Sequence, residues 1–323
     1  MIFRTRSMLA VIALTIFISS FIIMRQLKKH SAKAGYTIGI LQTASHPALD
    51  AVRDGFIEQA QKTMKGITFI VKNAQGSVTT AHTIAEQMHA DKNINAILAI
   101  ATPAAQAIAA VEKEKPIFIA AVTDPAALGL LHPGSNVCGA SDMLNVKAEI
   151  DMLVQLVPKA KTVALLFTNA EANSVALVKL MREELSARGL TTLDFGVSNE
   201  SEIPMAAQWA FSKADVVLSP TDNNVASTIE IINHIAQKSK KPFMVSDNLL
   251  VKKGATAACG VDYKENGKQA AQIAHAVLIE KRKPADLPIA QQKNNTVYIN
   301  KPLLEALGLQ IPKTLQATIV IVE

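Results

Sequence analysis

Aromatic residues are scarce in this chain of 323 residues: they make up 4% of it, and Trp209 is the sole tryptophan. Hydrophobic residues nevertheless reach 49% and charged residues only 19%, which excludes disorder and leaves the cores to be built from Ala, Val, Ile and Leu. The length suffices for about two domains of ordinary size, each with its own core. Cysteine is limited to Cys138 and Cys259. Also missing are G-x-G-x-x-G, G-x-x-x-x-G-K-[ST] and G-x-S-x-G, so dinucleotide, P-loop and hydrolase readings lose their main support. With no nucleophile and base pairing in view, the chain is read as not an enzyme and as needing no cofactor.

Acid is missing from residues 1–35, which hold Arg4, Arg6, Arg25, Lys28, Lys29 and Lys33. Those six bases account for the whole net charge of +6, leaving 27 bases against 27 acids in the rest of the chain. A nucleic-acid binder carries its basic stripe on the folded domain itself, and none follows Lys33. From Met8 to Met24 there is no charge, a run between a signal-peptide core and the roughly 20 residues of a spanning helix in length. Residues 1–35 are therefore read as a signal or anchor segment. Ala32-Lys33-Ala34 offers a small-x-small cleavage site before Gly35, and no cysteine flanks the run, which excludes lipid attachment. An uncleaved helix touching the inner membrane through residues 8–24 is favoured over release near Ala34. Either way the remainder is extracytoplasmic or periplasmic, where thiols can oxidise.

From Tyr36 onward, short apolar runs rich in Ile and Val alternate with amphipathic stretches. The pattern predicts strands at 36–41, 67–72, 96–100, 117–122 and 136–140 and helices at 46–64, 78–90 and 103–112. A second series follows, with helices at 146–156, 174–188, 203–211, 225–239 and 265–280. Its strands fall at 162–167, 191–196, 215–218, 242–245, 255–260 and near 296–299. Apolar strands of this kind have both faces covered by helices. The expected architecture is α/β, two doubly wound parallel-sheet lobes in tandem, with Pro158, Pro242 and Pro284 marking joints.

In such sheets ligands sit beyond the carboxyl ends of the strands, and polar residues gather there. Thr102 and Pro103 open a helix whose free N–H groups and positive dipole end suit a carboxylate, and Asp124 is expected to cap a helix one strand later. In the second lobe, strand ends run into Asn169 to Ser174, Thr221 to Asn224 and Ser246 to Asn248. Acids at such ends suit an ammonium group and the amides and hydroxyls fix orientation. The bland alternative for any one of them is a cap or an Asx-turn. His82, Glu86 and His89 share a helix face, but a solvated face is the expectation there and not a metal site.

The runs His46-Pro47-Ala48-Leu49-Asp50, Asn73-Ala74-Gln75-Gly76, Ala101-Thr102-Pro103-Ala104-Ala105, Val122-Thr123-Asp124-Pro125, Glu171-Ala172-Asn173-Ser174, Pro220-Thr221-Asp222-Asn223 and Gly260-Val261-Asp262-Tyr263 resemble, in order, the ABC transporter substrate-binding family related to tryptophan- and tyrosine-binding importer components. The likeness covers about residues 36–310. It implies a type I periplasmic-binding fold, a ligand between the lobes, and a permease with its ATPase as partners of a monomeric binding protein. It also implies three crossings between lobes, near Ala140, Val261 and Pro284. Lobe 1 is then 36–140 plus 262–283, and lobe 2 is 141–261 plus 284–323.

By the same resemblance the cleft is lined by Gln42, Thr102, Thr123, Asp124, Ser141, Asp142, Asn169, Asn173, Ser174, Thr221, Asp222, Asn223 and Asp247. Thr102 and the amides after it are expected to take a ligand carboxylate, and Asp222 or Asp247 its amine. Gln42 to His46 are smaller than the family's usual stretch and offer no aromatic platform, which leaves the ligand open between another hydrophobic amino acid and something larger. Cys138 and Cys259 precede the crossover strands, so a disulfide across the hinge is conceivable beside two buried thiols. Two rivals stand against transport: a membrane-anchored sensor of the same fold, disfavoured because no output domain follows, and a cleft enzyme, which would return its ligand chemically changed.

Overall fold

Residues 35–292, 296–315 and 318–322 are described by a computed structural model of the chain. The apolar run 8–24 and the cleavage site near Ala34 lie outside them. Among the described residues no helix is long and apolar enough to cross a membrane.

The first sheet takes β1 (Thr37–Gln42), β2 (Thr68–Asn73), β3 (Ala96–Ile100), β4 (Ile117–Val122) and β5 (Val137–Ser141) in the order β2-β1-β3-β4-β5, all parallel. Helices α1 (Pro47–Thr63), α2 (Val78–Ala90) and α3 (Thr102–Val111) connect its first four strands. Side chains alternate across a strand, and β3 sends Ala96, Leu98 and Ile100 into one core and Ile97 and Ala99 into another. Five consecutive apolar residues are needed because neither face of this strand meets water.

The second half begins with α4 (Val146–Leu156) and continues through β6 (Thr162–Thr168), α5 (Ala172–Ala187), β7 (Thr191–Val197), α6 (Ile203–Lys213) and β8 (Val216–Ser219). Then come α7 (Asn223–Ser227), α8 (Ile229–Ser239), β9 (Phe243–Val245) and β10 (Ala257–Gly260). Their sheet order, β7-β6-β8-β9-β10, repeats that of the first sheet. Both halves thus reverse winding direction between their first and third strands, and a ligand crevice opens at such a switch point.

After β10 the chain returns to the first sheet as α9 (Tyr263–Leu278), which lies along α1. Two glycines set that approach: a Cβ on Gly267 would stand 2.0 Å from the Val52 carbonyl oxygen, and one on Gly55 2.2 Å from that of Lys264. Asn266 on the same helix donates to the Ser141 carbonyl (2.9 Å) and accepts the Ala121 N–H (2.9 Å). The chain then runs back beside β5, where Ser141 N–H donates to Ala290 O (2.8 Å) and Ala290 N–H to Gly139 O (2.9 Å). It ends in the second sheet with β11 (Thr296–Asn300), α10 (Lys301–Ala306) and β12 (Thr318–Val322).

Several local expectations are revised. The helix predicted at 225–239 is broken at Thr228, whose hydroxyl donates back to the Asn224 and Val225 carbonyls and competes with the helical ladder. No helix follows Asp124, which instead closes a turn by accepting the Ala127 N–H. The second sheet is not wholly parallel, since β11 pairs antiparallel with β10, and α10 and β12 had no counterpart in the sequence pattern. Cys138 and Cys259 are both free and buried; burial pushes each thiol up to about 12.

Candidate functional site

The carboxyl ends of both sheets face one narrow cavity of about 20 Å³, room for about one water. From the first sheet come His46, Ala48 and Leu49 after β1, Ala101 after β3 and Ala121 near the end of β4. From the second come Asn173 at the start of α5, Thr221 to Asn223 after β8, and Asp247 and Leu250 after β9; Asp142 and Tyr263 stand where the chain crosses between sheets. His46 Nε2 lies 3.2 Å from Asn223 Oδ1, a buried contact between lobes.

Backbone strain sits at the same place. Ala101 (φ 74°, ψ 162°) and Ala121 (φ 53°) both take the left-handed side of backbone space, which costs a residue with a Cβ about 1–3 kcal/mol. Ala101 turns β3 sharply into α3. At that helix start Pro103 has no N–H, the Ala104 N–H is taken by Thr43 Oγ1 (3.2 Å) and the Ala105 N–H by Ala101 O (3.1 Å). The expected carboxylate site on these amides is thus largely occupied by the protein itself, while the Thr102 hydroxyl is buried without a partner.

Of the thirteen residues expected in the cleft, Asp142, Asn173, Thr221, Asp222, Asn223 and Asp247 line the cavity. Gln42, Thr123, Ser141 and Ser174 are buried behind it and hold its walls. Gln42 donates to Ala44 O and Asp50 Oδ1, fixing the loop that carries His46. Thr123 Oγ1 donates to Asp142 Oδ1 (3.0 Å), Ser141 Oγ to Thr123 O (2.7 Å) and Ser174 Oγ to Asp222 Oδ2 (2.8 Å). Asp124 and Asn169 do not line the cavity, and Asn169 is exposed.

The acids differ in how much of their bonding capacity is used. Asp222 accepts from Thr168 N–H (2.6 Å), Thr168 Oγ1 (3.0 Å), Ser174 Oγ (2.8 Å) and the Asn224 and Val225 N–H groups (3.1 and 3.0 Å). It is a structural hub that caps α7, with nothing left for a guest. Asp247 accepts only the Leu249 N–H (2.9 Å), and burial, with repulsion from Asp142, raises it to about 7. Asp142 accepts from Thr123 and from Tyr263 Oη (3.3 Å) and burial raises it to about 6. Behind Asp247, Ser246 Oγ donates to Glu149 (2.7 Å), a fully buried acid on α4 raised by burial to about 8.

The residues expected in the cleft did not include His46, Glu171, Glu149 or Tyr263, although His46, Glu171 and Tyr263 stand in the runs that carry the resemblance. Glu171 is buried and raised, first by desolvation and then by the charge of Asp222; it gathers Asn223 N–H (3.1 Å), Asn223 Nδ2 (2.6 Å) and Asn173 Nδ2 (3.3 Å) on one oxygen. His46 is held below its ordinary value by burial. His46 Nδ1, Asn173 Oδ1 and Thr221 Oγ1, all on lining residues, are buried without partners. Among the described residues no Lys or Arg lines the cavity, and no group of His, Cys, Asp and Glu could hold a metal.

Two lobes of the same winding, crossed repeatedly by the chain and meeting over a buried polar cavity, define a two-lobed binding protein of the type I periplasmic-binding fold. Residues 37–320 match the family model described as ABC transporter substrate binding protein, and the chain belongs to that family. It is similar to a tyrosine-binding protein of Clostridioides difficile, 34% identical over 88% of this chain and 84% of the relative. It also resembles an ABC domain from Streptococcus pneumoniae solved in complex with L-Trp, at a TM-score of 0.85 and 30% identity over 90% of this chain and 100% of that one. A ligand-free, open substrate-binding protein with adhesive properties from Clostridium difficile gives a TM-score of only 0.65 at 34% identity, over 89% and 100% of the two chains. Identity being comparable, the better superposition on the liganded structure agrees with the lobe closure marked by the His46 to Asn223 contact.

Proposed function

We propose that this chain captures an amino acid or a related ammonium compound in the cleft between its lobes and delivers it, outside the cytoplasmic membrane, to an ABC permease driven by its ATPase. One observation carries the reading: two buried acids with spare acceptor capacity, Asp142 and Asp247, face a cavity without a lining cation. An uncompensated buried carboxylate is costly; a guest ammonium both donates to it and neutralises its charge, a sugar hydroxyl only donates, and an anion adds to the charge. Relatives named for tyrosine and solved with L-Trp support the amino-acid class. Delivery follows if the closed form docks on the permease, since a ligand touching both lobes favours closure.

Native mass spectrometry of the purified chain, then denaturation and identification of the released molecule, tests this directly. An amine returned chemically unchanged is the expected result; a bound sugar or organic acid, with every amine refused in calorimetry, would discard it.

A further inference from the structure

The polarity of one hydrogen-bond chain across the cleft fixes the state of His46. Glu171 and Asn223 belong to the second lobe, His46 to the first. Three N–H donors converge on Glu171 Oε2: Asn223 N–H, Asn223 Nδ2 and Asn173 Nδ2. That oxygen is an acceptor whether or not the other oxygen carries a proton. The Asn223 amide must therefore direct its NH₂ to Glu171 and its carbonyl oxygen to His46, 3.2 Å away. An amide oxygen only accepts, so His46 Nε2 must carry the hydrogen. Neutral imidazole has one N–H, which leaves Nδ1 an acceptor. Nδ1 is the atom of His46 that is buried with no partner, on a side chain that lines the cavity.

The geometry points to His46 as a specificity-determining residue: closure of the lobes locks it as the Nε2–H tautomer, and its Nδ1 accepts a hydrogen bond from an N–H or O–H on the guest. Asn223 and Glu171 are positioning residues that act through it. The inference rests on the amino-acid reading above and adds to it a side-chain donor, so the favoured guests are amino acids whose side chain offers one. A guest lacking the donor leaves Nδ1 buried and unsatisfied, and its affinity drops by about 10-fold or more.

The test uses the full chain in detergent, titrated calorimetrically with L-tyrosine against L-phenylalanine and with L-tryptophan against 1-methyl-L-tryptophan. The donor-bearing member of each pair is expected to bind about 10-fold tighter or better. His46→Phe should erase the ratio, and His46→Gln, whose amide can donate to Asn223 and still accept from the guest, should restore part of it. Long-range ¹⁵N–¹H spectra of the saturated, ¹⁵N-histidine-labelled chain should show His46 protonated at Nε2 alone, a state lost in Asn223→Ala. A tautomer protonated at Nδ1, or a ratio unmoved by His46→Phe, overturns this inference while leaving amino-acid capture intact. Binding of none of the four overturns this inference too, while amino-acid capture itself falls only if every amine is refused.

Discussion

Asp222 and Asp247 look alike in sequence, each following a strand end, yet their hydrogen bonds assign them opposite roles. Asp247→Asn removes the carboxylate with spare capacity, so amino-acid affinity should fall by about 2–5 kcal/mol, the usual loss at a buried charge pair. The melting temperature of the unliganded chain should stay level or rise, because a costly buried charge is gone. Asp222→Ala strips five donors of their acceptor and removes a helix cap, so denaturant unfolding should show a loss of about 3 kcal/mol or more. A variant of Asp222 that folds normally but fails to bind would reverse these roles. Sequence could see that both were polar strand ends; which one still had an unused lone pair depended on Thr168 and Ser174, some fifty residues away in the chain.

At the level of elements, the closest fit is between α1 and α9, where Gly55 and Gly267 let backbones approach. Gly267→Ala puts a methyl group against the Val52 carbonyl and should destabilise the chain by about 1–3 kcal/mol, read by urea unfolding. Because Asn266 beside it ties Ser141 to Ala121, the same variant should also loosen the crossover and weaken amino-acid binding. The turn from β3 into α3 offers the opposite case. Ala101 holds a backbone geometry natural only to glycine, so Ala101→Gly should stabilise the protein by up to about 1 kcal/mol after the entropy of the more flexible unfolded chain is discounted. Helix and strand positions were legible because apolar residues recur at the periods of buried helices and strands. The break at Thr228, the antiparallel pairing of β11 and the strand β12 were not, since a hydroxyl's choice of carbonyl and the pairing of a polar tail are settled by neighbours.

For the molecule as a whole, the acids of the cleft couple binding and stability to pH in opposite directions. Asp142 (about 6), Asp247 (about 7) and Glu149 (about 8) all titrate above the unfolded carboxyl range. The protons they hold stabilise the unliganded fold fully below about pH 4 and are lost as pH rises through the folded values. Calorimetric melting of the unliganded chain should therefore fall from pH 6.5 to pH 8, above the range in which His46, held below its ordinary value of 6.5 by burial, acts in the opposite sense. Acids held low by partners, such as Asp151 and Asp215, lose their contribution only at lower pH and leave this window to the cleft. An ammonium guest binds the ionised acids, so its affinity should weaken by up to about tenfold per pH unit for each acid on acidification below that acid's folded value, with proton release near pH 6.5 seen as a buffer-dependent heat. The cavity of about 20 Å³ is too small for an amino acid, so the lobes must part to admit one. Solution scattering should show a radius of gyration that decreases when a bound amino acid draws the open form closed.

The sequence by itself determined the alternation of strands and helices, the two tandem lobes and the gathering of polar residues at strand ends, because these follow from local periodicity, capping and composition. The tertiary structure alone decided which polar residues share the cavity, which are consumed in holding its walls, and that His46, Glu171 and Glu149 belong with them. The reason is physical: whether a buried acid or imidazole has capacity left for a guest depends on donors brought from distant segments and on exclusion of water, and neither is written in the spacing of residues along the chain.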